Sequence, residues 1–198
     1  MNINIILFRD FETLDVFGPV EILGKLPDEY KIKYYSPEGG IVLSRQGTQV
    51  VTEPLNTIGH QEILLIPGGQ GTRELVLNED FIHQLRVIAE QSLFCLTVCT
   101  GSALLAKTGL LKKRRATSNK NAFRWVMSVD REVNWIKKAR WVTDGKYYTS
   151  SGVSAGMDMA LGFIADQFGP KKAKEIAQSI EYIWNSDPEN DIFERDDI

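Results

Sequence analysis

Short apolar runs of strand length recur along the chain, at residues 3–8, 32–36, 62–67 (reading EILLIP), 93–98 and 146–150. Several lack the polar alternation of a half-exposed strand, which suits strands covered on both faces, as in a parallel sheet between layers of helices. Helical patterns lie between them. Phe81, Leu85, Ile88 and Ala89 share one face of an amphipathic helix, with Asn78 as candidate cap. Leu104, Leu105, Leu110 and Leu111 predict a short buried helix after the fourth run, interrupted near its end by Gly109. In the last third, Met157, Leu161, Ile164, Ala165 and Phe168 form one apolar stripe, and Ala173, Ile176, Ala177, Ile180 and Trp184 the next. Gly169 closes the first helix and Pro170 opens the second. Residues 39–54 carry Val42, Val50 and Val51 around Gln46-Gly47 and read as a hairpin appended to the sheet. Residues 187–198, rich in Asp, Glu and Asn, are expected to be irregular. The alternation of strands and helices predicts a doubly wound α/β sandwich. At 198 residues, with no repeat or linker, a single domain over 1–198 is expected.

Charge narrows the partners. With 23 Lys+Arg against 26 Asp+Glu, a net charge of −3 leaves no basic surplus to neutralise a nucleic-acid backbone. The one basic cluster, Lys112, Lys113, Arg114 and Arg115, reads as a solvated connection. No window approaches the roughly 18 consecutive apolar residues of a membrane span, and Met1 leads into a strand without a signal peptide's features, so a cytoplasmic protein with reduced thiols is expected. There are two cysteines and two histidines. Neither Cys95 nor Cys99 has partners at metal-ligand spacing, so neither a metal site nor a disulfide framework is expected.

Ligands of open α/β sheets bind beyond the carboxyl ends of the strands, which directs attention to three turns. The first supplies Asp10, Glu12 and Asp15, followed by Gly18-Pro19; the second reads Pro67-Gly68-Gly69-Gln70-Gly71; the third reads Cys99-Thr100-Gly101-Ser102 and opens a helix. Cys99 sits where a strand turns sharply into a helix, a geometry that exposes a nucleophile, and the helix N-terminus is expected to lower its thiol pKa. Cys95, inside the apolar run, reads as a buried small hydrophobe. The Gly68 and Gly69 turn offers unshielded backbone N–H groups, and the amides of Gly69 and Thr100 are candidates to converge on one oxygen near the sulfur. His60 should lie at the opposite end of the sheet and His83 on a solvated helix face, so a carboxyl must serve as the acid or base. Asp15, between Leu14 and Val16, is the best placed, and an apolar pocket would raise its pKa. Phe17, Trp125 and Tyr182 could wall such a pocket or belong to the core.

Leu14-Asp15-Val16-Phe17-Gly18-Pro19, Ile66-Pro67-Gly68-Gly69-Gln70-Gly71, Val98-Cys99-Thr100-Gly101-Ser102 continuing to Gly109-Leu110-Leu111, Arg114-Arg115-Ala116-Thr117 and Gly152-Val153-Ser154-Ala155-Gly156-Met157-Asp158 together resemble the DJ-1/PfpI superfamily. Within it they resemble the isonitrile hydratase branch. The resemblance implies a flavodoxin-like three-layer sandwich, a homodimer, Cys99 as nucleophile, Asp15 as its acid partner, and Gly69 and Thr100 amides near the reacting centre. It also implies a small-molecule substrate and no cofactor. Where many relatives carry a histidine, Ala116-Thr117-Ser118 leads here to Asn119-Lys120, which weakens protease, glyoxalase and deglycase readings. Related regulators append a helix-turn-helix domain, and the chain ends at Ile198. A redox-sensing protein in which Cys99 oxidises without turnover, and an amidase or glyoxalase activity, stay open as alternatives.

Overall fold

The computed structural model of the chain describes residues 1–194; residues 195–198 of the acidic tail lie outside them. In chain order the strands are β1 (Asn2–Ile6), β2 (Lys31–Ser36), β3 (Gly40–Leu43), β4 (Gln49–Pro54), β5 (Ile63–Ile66), β6 (Phe94–Thr97), β7 (Arg115–Ala116), β8 (Asn134–Trp135), β9 (Trp141–Asp144) and β10 (Tyr147–Ser150). Eight of them form one sheet in the order β3-β4-β2-β1-β5-β6-β10-β9, and β7 and β8 form a separate parallel ladder. The pairs β4–β2, β2–β1, β1–β5, β5–β6 and β6–β10 are parallel. The outermost pairs, β3–β4 and β10–β9, are antiparallel. The hairpin expected at residues 39–54 is the first of these.

The five apolar runs all become strands. Ile63, Leu64, Leu65 and Ile66 of β5 are buried without alternation, as a strand covered on both faces must be, and burying each such side chain is worth about 1.5–3 kcal/mol. Helices α1 (Thr13–Leu23), α2 (Thr72–Leu75), α3 (Glu79–Gln91), α4 (Gly101–Lys107), α5 (Phe123–Val129), α6 (Ala155–Phe168) and α7 (Pro170–Ser179) complete the chain. The β1–α1–β2 crossover runs one way along the sheet and β5–α3–β6 the other. Right-handed connections therefore place α1 and α3 on opposite faces. α6 packs against α1 and α7 against α6, while α4 packs against α3 and α5 against α4, filling the two outer layers.

Local signals account for the helix ends. The Asn78 side chain accepts the Phe81 N–H at 3.0 Å and caps α3. Pro170 stands at the start of α7, after Gly169 at φ +90°. Trp184 corrects the expected stripe: α7 ends at Ser179, and the Trp184 indole N–H instead donates to the Asp158 carbonyl at 3.2 Å from the irregular segment beyond. No helix among the described residues is long and apolar enough to cross a membrane.

Candidate active site

β1 and β5 are neighbours whose connections leave in opposite directions, so the crevice above their carboxyl ends is the topological switch point of the sheet. The turns after β1, β5 and β6 meet there.

Cys99 follows β6 with φ +55°, a left-handed conformation that costs a non-glycine residue about 1–3 kcal/mol and persists only where the surroundings impose it. Here both sides of its peptide are held. Its N–H donates to the Ser151 carbonyl at 3.2 Å, and its own carbonyl accepts from Ser118 Oγ at 2.7 Å and Ser102 Oγ at 3.1 Å. Around the sulfur stand the N–H groups of Thr100 and Val153, the Asn119 side chain and the Asp15 carboxyl. Asn119 Oδ1 accepts the Ala122 N–H at 3.2 Å, which leaves Nδ2 as the donor toward Cys99. Val153 has φ +28°, a second strained residue within reach of the same atom.

Asp15 is fully buried in the first turn of α1. Its Oδ2 accepts the Gly68 N–H at 2.8 Å, Oδ1 has no hydrogen-bond partner among the described residues, and the carboxyl neighbours the Cys99 thiol. Burial pushes its carboxyl from the ordinary 3.8 up to about 8; the Gly68 N–H opposes the rise, and the Glu12 charge adds to it. Burial, and after it the Asp15 charge, push the Cys99 thiol up as well, although the N–H of Thr100, Asn119 and the N–H of Val153 draw it back in part. This corrects the expectation of a thiol lowered by a helix N-terminus. α4 is only seven residues long, and its dipole is outweighed by removal of the sulfur from water. At neutral pH the resting pair is a protonated carboxyl beside a thiol.

The glycine turn serves a different purpose from the one expected. The Gly68 N–H is taken by Asp15, and the Gly69 N–H donates to Thr100 Oγ1 at 3.1 Å. Neither is free to meet a substrate oxygen; the N–H groups that face the sulfur are those of Thr100 and Val153. A Cβ on Gly68 would come within 2.6 Å of Thr100 N and 2.9 Å of Asp15 Oδ2, so glycine is what lets the turn close on the acid. Gly69, at φ +126°, adopts a backbone that side chains disfavour and pairs with Phe11.

His60 and His83 are exposed, and His60 precedes the amino end of β5, away from Cys99. Cys95 lies within β6, its thiol donating to the Ala89 carbonyl at 3.5 Å and pushed up to about 12 by burial. Of the three candidate walls, Phe17 packs against Tyr34 and the Tyr182 hydroxyl donates to Asp158 Oδ1 at 3.0 Å. Trp125 lies beneath Arg73, whose guanidinium carbon is 3.5 Å from the centroid of its ring. No motif flagged Arg73, an isolated cation on the short helix α2.

Beyond Asn119 lies a buried charge network. Arg140 Nε and Nη2 each lie 2.9 Å from Asp158 Oδ2, and Nη1 lies 3.4 Å from Asp191 Oδ1. Lys120 Nζ is 3.8 Å from Asp191 Oδ2 and donates to the Ala139 carbonyl at 2.7 Å. Burial pulls the Lys120 amine down to about 8. Asp191 ties the C-terminal segment to this network, and that segment walls a cavity of about 390 Å³ shared with Asn119, Gly152 and Val153. Among the described residues no group of three or more His, Cys, Asp or Glu could hold a metal ion.

A doubly wound flavodoxin-like sheet with a cysteine on a strained strand-to-helix elbow sets the class of protein. The sequence pattern of the DJ-1/PfpI family matches residues 1–166, and the chain belongs to that family. It is 29% identical to an isonitrile hydratase of Pseudomonas putida over 92% of this chain and 78% of that protein. It is 27% identical to the HTH-type transcriptional regulator CdhR of Pseudomonas aeruginosa over 76% of this chain and 45% of the regulator. Among solved structures, a THiJ/PfpI family protein from Pseudomonas syringae superposes with a TM-score of 0.81 at 26% identity, covering 94% of this chain and 76% of that one.

Proposed function

We propose that the chain is a cysteine-dependent hydratase that converts an isocyanide, R–N≡C, and water into an N-substituted formamide. The observation that carries this reading is the Asp15 carboxyl buried against the Cys99 sulfur, with asparagine at position 119 where a histidine would supply another base. The likeness to an isonitrile hydratase along nearly the whole chain supports it.

The terminal carbon of an isocyanide carries a lone pair and accepts a nucleophile, so its hydration needs one group that removes a proton from the thiol and returns one to that carbon. Once the pair has lost one proton, Asp15 takes the thiol proton, sulfur forms the C–S bond, and Asp15 delivers the proton to the same carbon. The product is a thioimidate, R–N=CH–S–Cys99. Water adds to its carbon and the nitrogen gains a proton. The C–S bond then breaks, R–NH–CHO leaves, and the sulfur recovers its proton. The Thr100 and Val153 N–H groups and Asn119 steady the charge on sulfur at both ends of the cycle. The partners in this reading are the small substrate and a second copy of the chain, with no cofactor.

Turnover of an alkyl isocyanide, followed as formamide release, tests it. Cys99→Ala should lower the rate by about a thousandfold or more; turnover equal to that of the unmodified protein ends the reading.

A further inference from the structure

One permanent charge beside Cys99 has no part in the chemistry above. Arg73, on α2, lies over Trp125 of α5 with its guanidinium carbon 3.5 Å from the ring centroid. Its Nη1 is 3.5 Å from Thr72 Oγ1, which is 3.1 Å from the hydroxyl of Thr100, the residue after the nucleophile. Arg73 is half-buried, yet among the described residues no carboxylate lies within ion-pairing distance of it. The nearby acids do not compensate it. Asp15 holds its proton at neutral pH, and Glu12, half-buried, accepts from Gln46 Nε2 at 2.6 Å. Burial lowers the Arg73 pKa and a charged Cys99 raises it, which places the two side chains in one electrostatic neighbourhood.

A guanidinium stacked on an indole has its plane fixed while its N–H edges stay available, the arrangement that receives a carboxylate through paired hydrogen bonds. A partly desolvated cation without a counter-ion is unfavourable, and an anionic ligand group removes that penalty. We propose that Arg73, held on Trp125, is the subsite for an anionic group of the substrate, so that the substrates are isocyanides bearing a carboxylate. The substrate class rests on Cys99 attacking isocyanides; the anionic subsite does not.

Two measurements separate these claims. The first compares kcat/KM for 4-isocyanobenzoate and 4-isocyanobenzamide, which differ chiefly in charge. The unmodified protein should prefer the carboxylate, and Arg73→Gln should lower kcat/KM for it about tenfold or more beyond any loss with the amide, as expected for one charge-assisted pair. Arg73→Lys should keep part of the preference. The second follows Cys99 alkylation by iodoacetate and by iodoacetamide through peptide mass, and requires no turnover. The iodoacetate-to-iodoacetamide rate ratio should fall in Arg73→Gln. A fallen ratio without formamide from either isocyanide keeps the subsite and ends the hydratase reading. An unchanged ratio, or equal losses on both isocyanides, overturns the subsite.

Discussion

Asp15→Asn is expected to lower isocyanide turnover by about 10²- to 10⁴-fold, the usual worth of a positioned acid or base, while making the protein harder to unfold. The two effects share one cause. The carboxyl titrates near 3.8 in an unfolded chain and at about 8 in the folded one, so the unfolded state gives up this proton first as pH rises. Folding is unaffected by Asp15 below pH 4 and becomes less favourable between there and pH 8, by about 1.4 kcal/mol per pH unit at most. Asparagine keeps an oxygen for the Gly68 N–H and cannot ionise. Urea unfolding at several pH values should therefore show the variant gaining on the unmodified protein from pH 5 to pH 8, by a few kcal/mol at the upper end. A difference independent of pH would show that Asp15 is not held protonated. The same titration predicts that kcat/KM rises toward pH 8, as the pair releases the proton that blocks attack.

The second large effect lies away from the sulfur. Arg140→Met removes the cation shared by Asp158 and Asp191, both fully or almost fully buried. Stranding buried carboxylates in this way costs about 3–5 kcal/mol, so the urea midpoint should fall sharply. Lys112→Met, which breaks the exposed pair with Glu132 at 2.8 Å, should leave the midpoint almost unchanged, because water screens that pair. Similar losses from the two substitutions would count against the network as a support of the fold. The C-terminal segment should loosen with Arg140→Met, because the Arg140 side chain holds Asp191, leaving only the backbone bond from the residue 140 N–H to the Pro188 carbonyl at 2.7 Å.

Periodicity exposes the frame of this protein because its central strands are covered on both faces: Ile63 to Ile66 and Cys95 to Thr97 are apolar or small without interruption. Asp15 and Cys99 are legible for a related reason. Cys99 comes just after β6 and Asp15 lies in the first turn of the helix that follows β1, so chain order alone puts both at one end of the sheet. The rest of the site depends on distances that sequence does not encode locally. Nothing around Val153 announces an N–H aimed at sulfur, and Asn119 is visible as a departure from a pattern but not as a donor. Gly68 and Gly69 show why a turn motif misleads about its use, since free amides in the sequence became the clasp of Asp15 and Thr100. The thiol misled in the same way, because proximity to a helix start is local and burial is not.

The strained elbow has a consequence for how the protein comes into being. Cys99 and β6 are synthesised long before β10, yet β10 is the strand that closes the open side of β6 and leads into Ser151 and Val153. Until that late, non-local pairing forms, the carbonyl that fixes the Cys99 N–H is missing and nothing imposes its left-handed backbone. On the ribosome, and in any chain cut short before β10, residue 99 is an ordinary cysteine. Its left-handed backbone and the N–H groups around its sulfur are set by completion of the sheet.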